Sequence, residues 1–350
     1  MNPSRALDEP DFAIRKLLER RRGTDNRIAG FHFAMDVAAY LLLIAAATFA
    51  RPLPLRIGAA LGAGAITVRL ASIAHDACHR SYVSSHRWNK FIGRVAFLPA
   101  LQPCGTWEMA HNVIHHSWTS IRGKDYVWIP LSKEEFDAAT PVRRILERVY
   151  RSPFGHGLYY FLELWWKRVV VPSCQWSEIP RRSQRFDIAL TAYFLLLWIG
   201  LVATSCALTG RSAALGLLCA VAMPVATWFW LFGFVLYVQH THPDAKFFME
   251  RREQDFYDRQ LSSATHVVFP AGINRFMHGI FEHTAHHLDV TVPFYRLADA
   301  QTALNSLAQD RVVQERWTFR GFLRTARICK LYDYERHCWL DFQGQRQQRI

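Results

Sequence analysis

Histidines carry the clearest chemical pattern in this chain of 350 residues, which contains 16 of them. Three clusters stand out: His75-Asp-Ala-Cys-His79, His111-Asn-Val-Ile-His115-His116 and His283-Thr-Ala-His286-His287. A fourth, smaller group is His240-Thr-His242. On a helix, i,i+4 spacing sets His75 over His79 and His111 over His115, and i,i+3 spacing does the same for His283 and His286. The second histidine of each adjacent pair is turned by about 100°, so it can reach a neighbouring ion. Imidazole suits zinc, copper, iron and nickel. The three clusters offer eight donors, about twice what one tetrahedral ion takes, so two ions are the economical expectation. A histidine on its own is more simply a hydrogen-bonded structural residue. That is the expectation for His32, His86, His156, His266 and His337, with His242 and His278 left open.

Competing chemistries fit less of the pattern. The seven cysteines (78, 104, 174, 206, 219, 329 and 338) contain no C-x-x-C pair, which excludes a simple zinc ribbon and iron–sulfur spacing. They read as reduced thiols. His75-Asp-x-x-His79 is similar to the H-E-x-x-H of zinc proteases, with aspartate for the glutamate base, but this leaves two clusters unexplained. A soluble ferritin-like di-iron protein needs two E-x-x-H motifs, and only Glu108-Met-Ala-His111 fits.

The elements that must position these rings are largely apolar. Hydrophobic residues make up 51% of the chain, which points to a membrane portion, while 20% charged residues require a substantial polar part beside it. Ile188 to Gly210 and Ser212 to Gln239 are uncharged and each long enough to span a bilayer. Only about two residues, Gly210 and Arg211, link them, so they form an antiparallel hairpin. The last span, at about 1.5 Å per residue, outruns the hydrocarbon and should deliver His240 into water. Phe31 to Ala50 and Leu55 to Ala74 form an earlier pair joined by Arg51-Pro-Leu-Pro54, with Arg69 close enough to the exit to snorkel. A buried soluble hairpin is the alternative for this pair.

Four spans in two hairpins put both termini on one side. The far turns hold only Arg51, Arg56 and Arg211, so the positive-inside tendency makes the other, arginine-rich side the cytoplasm. The formal charge of +13 therefore fits an anionic membrane face, and no nucleic acid is expected. The charged N-terminus shows no cleaved signal peptide. Between the hairpins, Phe91 to Leu101 is too short to span. Thr140-Pro141 should start a helix displaying Val142, Ile145, Leu146 and Val149, and Gly157 to Val171 reads as an interfacial helix or one in the cytoplasmic cap.

The constellation resembles the membrane-bound fatty acid desaturase family, with its ordered histidine boxes. The boxes here are His75/His79, His111/His115/His116 and His283/His286/His287. The likeness runs from roughly residue 35 to 300 and includes Tyr237-Val-Gln-His240-Thr-His242-Pro243, similar to a segment of bacterial and plant acyl-lipid desaturases. Cys78 stands where glycine is common, box two has three intervening residues, and Asp289-Val290 follows where many members have Phe-Pro.

The resemblance implies an all-α integral membrane protein of about four transmembrane helices in two hairpins, with a helical cytoplasmic cap holding a di-iron site. It implies a cytoplasmic N-terminal amphipathic segment (1–30), a membrane desaturase domain (31–300, with spans 31–50, 55–74, 188–210 and 212–239) and a cytoplasmic C-terminal segment (301–350). The eight box histidines become iron ligands, with His240 as the ninth and His242 as its fallback. Asp76 would orient a ligand imidazole, and Asn274 would position a ligand or water. The implied reaction is O2-dependent desaturation of a fatty acyl lipid or acyl thioester, with electrons from an external ferredoxin or cytochrome b5. Acyl hydroxylation, acetylenic-bond formation, or oxidation of a carotenoid or alkane on the same site are its near alternatives. A membrane metal transporter is the alternative from another class, but its ligands belong near the bilayer midplane.

Overall fold

The computed structural model describes residues 9–171 and 181–347; Cys174 lies outside them. Four helices are long and apolar enough to cross a membrane: Asn26–Phe49, Leu53–Cys78, Arg182–Leu208 and Ala213–His240. The protein is an integral membrane protein of mainly helical fold. The chain divides into two compact units that it visits alternately. One comprises residues 25–114 and 154–236, and the other residues 1–24, 115–153 and 237–350.

The first of these units holds the spans up to Leu236. Asp25 starts the first span by accepting hydrogen bonds from the amides of Arg27 and Ile28. Pro52 and Pro54 break the chain and re-enter the second span, where a missing amide costs nothing in the first turn. The Arg56 guanidinium donates to the Ala47 carbonyl at 2.8 Å, satisfying an end of the first span. Between the third and fourth spans, Gly210 adopts φ +65°, Arg211 N–H reaches the Cys206 carbonyl at 2.8 Å and Gly210 N–H the Ala207 carbonyl at 3.2 Å. This left-handed stop needs glycine and explains the two-residue turn.

The second span is the interior one: 72% of its most apolar window is buried, against 17% for the third span, whose faces are left for lipid. Arg69 does not snorkel. Its side chain is buried and paired to Asp36 of the first span at 2.6 Å, because a carboxylate on the facing helix compensates the charge where it stands. Small residues allow close approach: a Cβ at Gly64 would lie 2.5 Å from Thr227 Cβ, and one at Gly216 would lie 2.4 Å from Cys206 Sγ. His86–Phe97 is a helix with Asn89, Ile92, Ala96 and Phe97 buried and Trp88 and Phe91 exposed.

In the other unit, the helix Glu9–Glu19 packs on Phe294–Ala308. Arg21 pairs with Asp299, Arg22 with Asp289, and Arg311 with both Asp11 and Asp258. Thr140 does cap a helix, Pro141–Tyr150, which exposes Val142, Ile145 and Val149. Two small sheets pin the C-terminal chain. Thr265–Val268 runs parallel to Val313–Arg316, and Leu331–Asp333 runs antiparallel to Cys338–Leu340. Phe247, Ile328, Cys329, Tyr332, Tyr334 and Trp339 form a buried core in this unit.

Candidate metal centre

One group of four imidazoles belongs wholly to the unit containing residues 237–350. His115, His240, His283 and His287 are all buried, and one ring nitrogen of each lies within 4.8 Å of the others. His283 Nε2 is 2.8 Å from His240 Nε2 and 2.9 Å from His287 Nε2. Three separate elements bring them together. His240 ends the fourth span, His115 ends a short helix of π type (Met109–His115), and His283 and His287 are one turn apart on His283–Leu288.

The back of this group is built to hold imidazole orientation. His115 Nδ1 faces Asp125 Oδ1 at 3.0 Å, which turns Nε2 toward the other rings. Asp125 is itself fixed by the amides of Ser120, Tyr126 and Val127. Gln260 presents Oε1 to His287 Nδ1 at 2.9 Å and donates through Nε2 to the His116 carbonyl at 3.2 Å. Burial, and then the surrounding His283, His116, His115 and His240 rings, hold the His287 imidazole well below its ordinary range. It is therefore neutral, the form that ligates metal. Four converging imidazoles, two of them tied from behind by a carboxylate and an amide, fit a transition-metal ion.

Each unit holds further box histidines. In the unit holding the spans, the His75 and His79 rings are 4.7 Å apart, and His111 lies 4.9 Å from the first and 5.3 Å from the second. His75 Nδ1 meets Asp76 Oδ1 at 3.0 Å, and its Nε2 faces His111 Nε2 at 3.1 Å. Trp107 stacks on the His111 ring at 4.3 Å. In the other unit, His116 Nε2 lies 3.2 Å from His286 Nε2.

The adjacent pairs separate as their 100° offset requires: His115 and His287 enter the four-histidine group, while His116 and His286 face each other. Two same-face expectations fail. His111 does not share a group with His115, which meets His240, His283 and His287 instead. His283 pairs with His287 rather than His286, since four residues return to within about 40° of the starting direction and three miss it by about 60°.

His240 stands in the four-histidine group, whereas His242 turns Nε2 to Glu315 Oε2 at 2.8 Å and accepts the Asp244 amide on Nδ1. Asn274 does not reach a box histidine directly. It donates to Glu282 Oε1 at 2.6 Å, and the other oxygen of Glu282, just before His283, meets His266 Nε2 at 2.8 Å. Asp125 and Gln260 were missed from the sequence. Neither lies in a histidine box, and no spacing ties them to one.

Comparison with known proteins agrees with this chemistry. The family model "Fatty acid desaturase" matches residues 50–319. The sn-1 oleoyl-lipid 12-desaturase of Picosynechococcus sp. is 27% identical over 79% of this chain and 76% of its own length. The corresponding protein of Synechocystis sp. is 26% identical over 75% of this chain and 72% of its length. The chloroplastic omega-6 fatty acid desaturase of Glycine max is 27% identical over 75% of this chain and 59% of its length.

Proposed function

Because the chain belongs to the fatty acid desaturase family and is an oxidoreductase of fatty acyl chains, we propose that it is an O2-dependent desaturase of lipid-bound acyl chains with a di-iron centre. The nine ligands are His75, His79, His111, His115, His116, His240, His283, His286 and His287, with one ion held by His115, His240, His283 and His287. The observation that carries the reading is that buried group of four imidazoles with Asp125 and Gln260 behind it. Bound there, iron would supply the O2-dependent oxidising chemistry needed to remove hydrogen from an unactivated methylene.

The protein's own part is positional. Asp125 and Gln260 fix two rings, and burial of all four keeps bulk water from competing at the reacting centre. Asp76 performs the same orienting task for His75. The apolar spans supply a lipid-facing scaffold on which a flexible chain can be held with one C–H bond at the site. The name sn-1 oleoyl-lipid 12-desaturase, borne by two of the relatives, supports a glycerolipid as the acyl carrier. Electrons come from a separate ferredoxin or cytochrome b5 type donor, and the site faces the cytoplasm of a bacterial inner membrane.

Expression in a bacterial host followed by mass spectrometry of its lipids tests this. A new double bond in glycerolipid acyl chains is expected. Hydroxylated products without new unsaturation, or no product from an iron-loaded protein supplied with donor, would refute it.

A further inference from the structure

Inside the unit that carries the spans, two thiols lie in contact where the metal reading has no use for them. Cys78, within the first histidine box, is the last residue of the second span, and Cys104 opens the helix Cys104–Glu108 that leads toward His111. Their sulfurs are 3.1 Å apart, and both side chains are buried. Gly93 covers the pair: a Cβ there would lie 3.3 Å from Cys78 Sγ and 3.6 Å from Cys104 Sγ, so a larger residue would crowd it. We propose that Cys78 and Cys104 are a redox-modification site, which hydrogen peroxide converts to a disulfide joining the helix of His75 and His79 to the segment of His111.

Distance decides between this bond and a metal. Glu108 places a carboxylate within 4.8 Å of both sulfurs, so a thiolate–carboxylate ion site is the competing use. Two thiolates on one tetrahedral zinc, with bonds of about 2.3 Å, stand about 3.8 Å apart. The observed 3.1 Å is shorter than that, and about 1 Å of further approach gives a sulfur–sulfur bond of about 2.05 Å. The Cys78 carbonyl already accepts Asn112 Nδ2 at 3.0 Å, so the two segments are docked before any covalent link forms.

The reaction balances without the iron centre. One thiol reduces hydrogen peroxide, giving a sulfenic acid and one water. The second sulfur then displaces the sulfenic hydroxyl as a second water, leaving the disulfide. Two electrons leave the sulfurs, and both thiol hydrogens end in water. Thiol–disulfide exchange with a small dithiol restores the reduced pair. The bridge spans 26 residues of sequence and ties together segments that carry three box histidines, so its effect is greatest when bound metal no longer holds them.

The test uses the full-length protein in detergent. It is treated with hydrogen peroxide, its remaining thiols are blocked with iodoacetamide, and it is digested for mass spectrometry with and without dithiothreitol. A Cys78–Cys104 peptide pair that disappears on reduction is expected. After chelation, the oxidised protein should melt about 5 °C above the reduced one, and Cys104→Ser should abolish the difference. The peptide analysis of the unsubstituted protein stands even if Cys104→Ser fails to fold. Full alkylation of both cysteines, bridging to other partners, or a bridge without the melting shift would overturn the proposal. Retention of added zinc that protects both thiols from peroxide would overturn it in favour of an ion site.

Discussion

A metal ligand works only if something behind it fixes which nitrogen points at the ion, and that requirement separates residues that look alike in the sequence. Asp125 holds His115 from the Nδ1 side and is itself held by three amides. Asp125→Asn keeps the size of the side chain but removes the charge and replaces one acceptor oxygen with a donor. It should lower bound iron and cut product formation about 10- to 100-fold while leaving the fold intact, as read by iron assay, lipid analysis and circular dichroism. Full iron occupancy in that variant would remove Asp125 from the orienting role. His240 and His242 make a sharper pair. His240→Ala takes a ring out of the four-histidine group and should lose iron, whereas His242→Ala breaks a bond to Glu315 and should retain it. The reverse pattern would make His242 the ligand. The spacing of histidines exposed the eight box rings to sequence reading, and the family resemblance pointed to His240 as a ninth. Their division into groups was not legible, because it depends on contacts made by chain segments far apart in sequence.

At the level of elements, the third and fourth spans were visible as charge-free runs, whereas the first two carry charged residues within them. Asp36 and Arg69 shortened the uncharged centre of the first hairpin, yet both lie in buried helix faces and neutralise each other. Breaking one side of such a pair leaves an unpaired buried charge, which costs about 3–5 kcal/mol, while replacing both with apolar residues of similar volume is close to neutral. Asp36→Ala should therefore lower the melting temperature in detergent sharply, and Asp36→Leu combined with Arg69→Met should recover most of the loss. Two losses that simply add would show the pair to be uncoupled. Residue type alone could not tell this pair from two snorkelling ends, because the distinction lies in which face of the neighbouring helix each side chain meets.

For the whole molecule, four spans would put both termini on the same side of the bilayer. Less of the remaining organisation was legible, since residues 1–24, 115–153 and 237–350 fall into one compact unit without a linker or change of composition to mark it. We propose the orientation from charge. Of the arginines at the far turns, Arg56 is occupied in closing the first span through the Ala47 carbonyl, and Arg211 lies over the Phe49 ring at 6.0 Å. The positive residues left to interact with a membrane surface are thus overwhelmingly on the side of the termini. In a Gram-negative host, green fluorescent protein fused after Ile350 should fluoresce, because it folds in the cytoplasm. Alkaline phosphatase fused after Arg211 should be active, because that turn is exported. Since Arg211 contributes little to the bias, Arg211→Gln should leave both signals unchanged. A dark C-terminal fusion together with an inactive phosphatase would invert the topology, and would put the histidine groups at the ends of the second and fourth spans on the outer face.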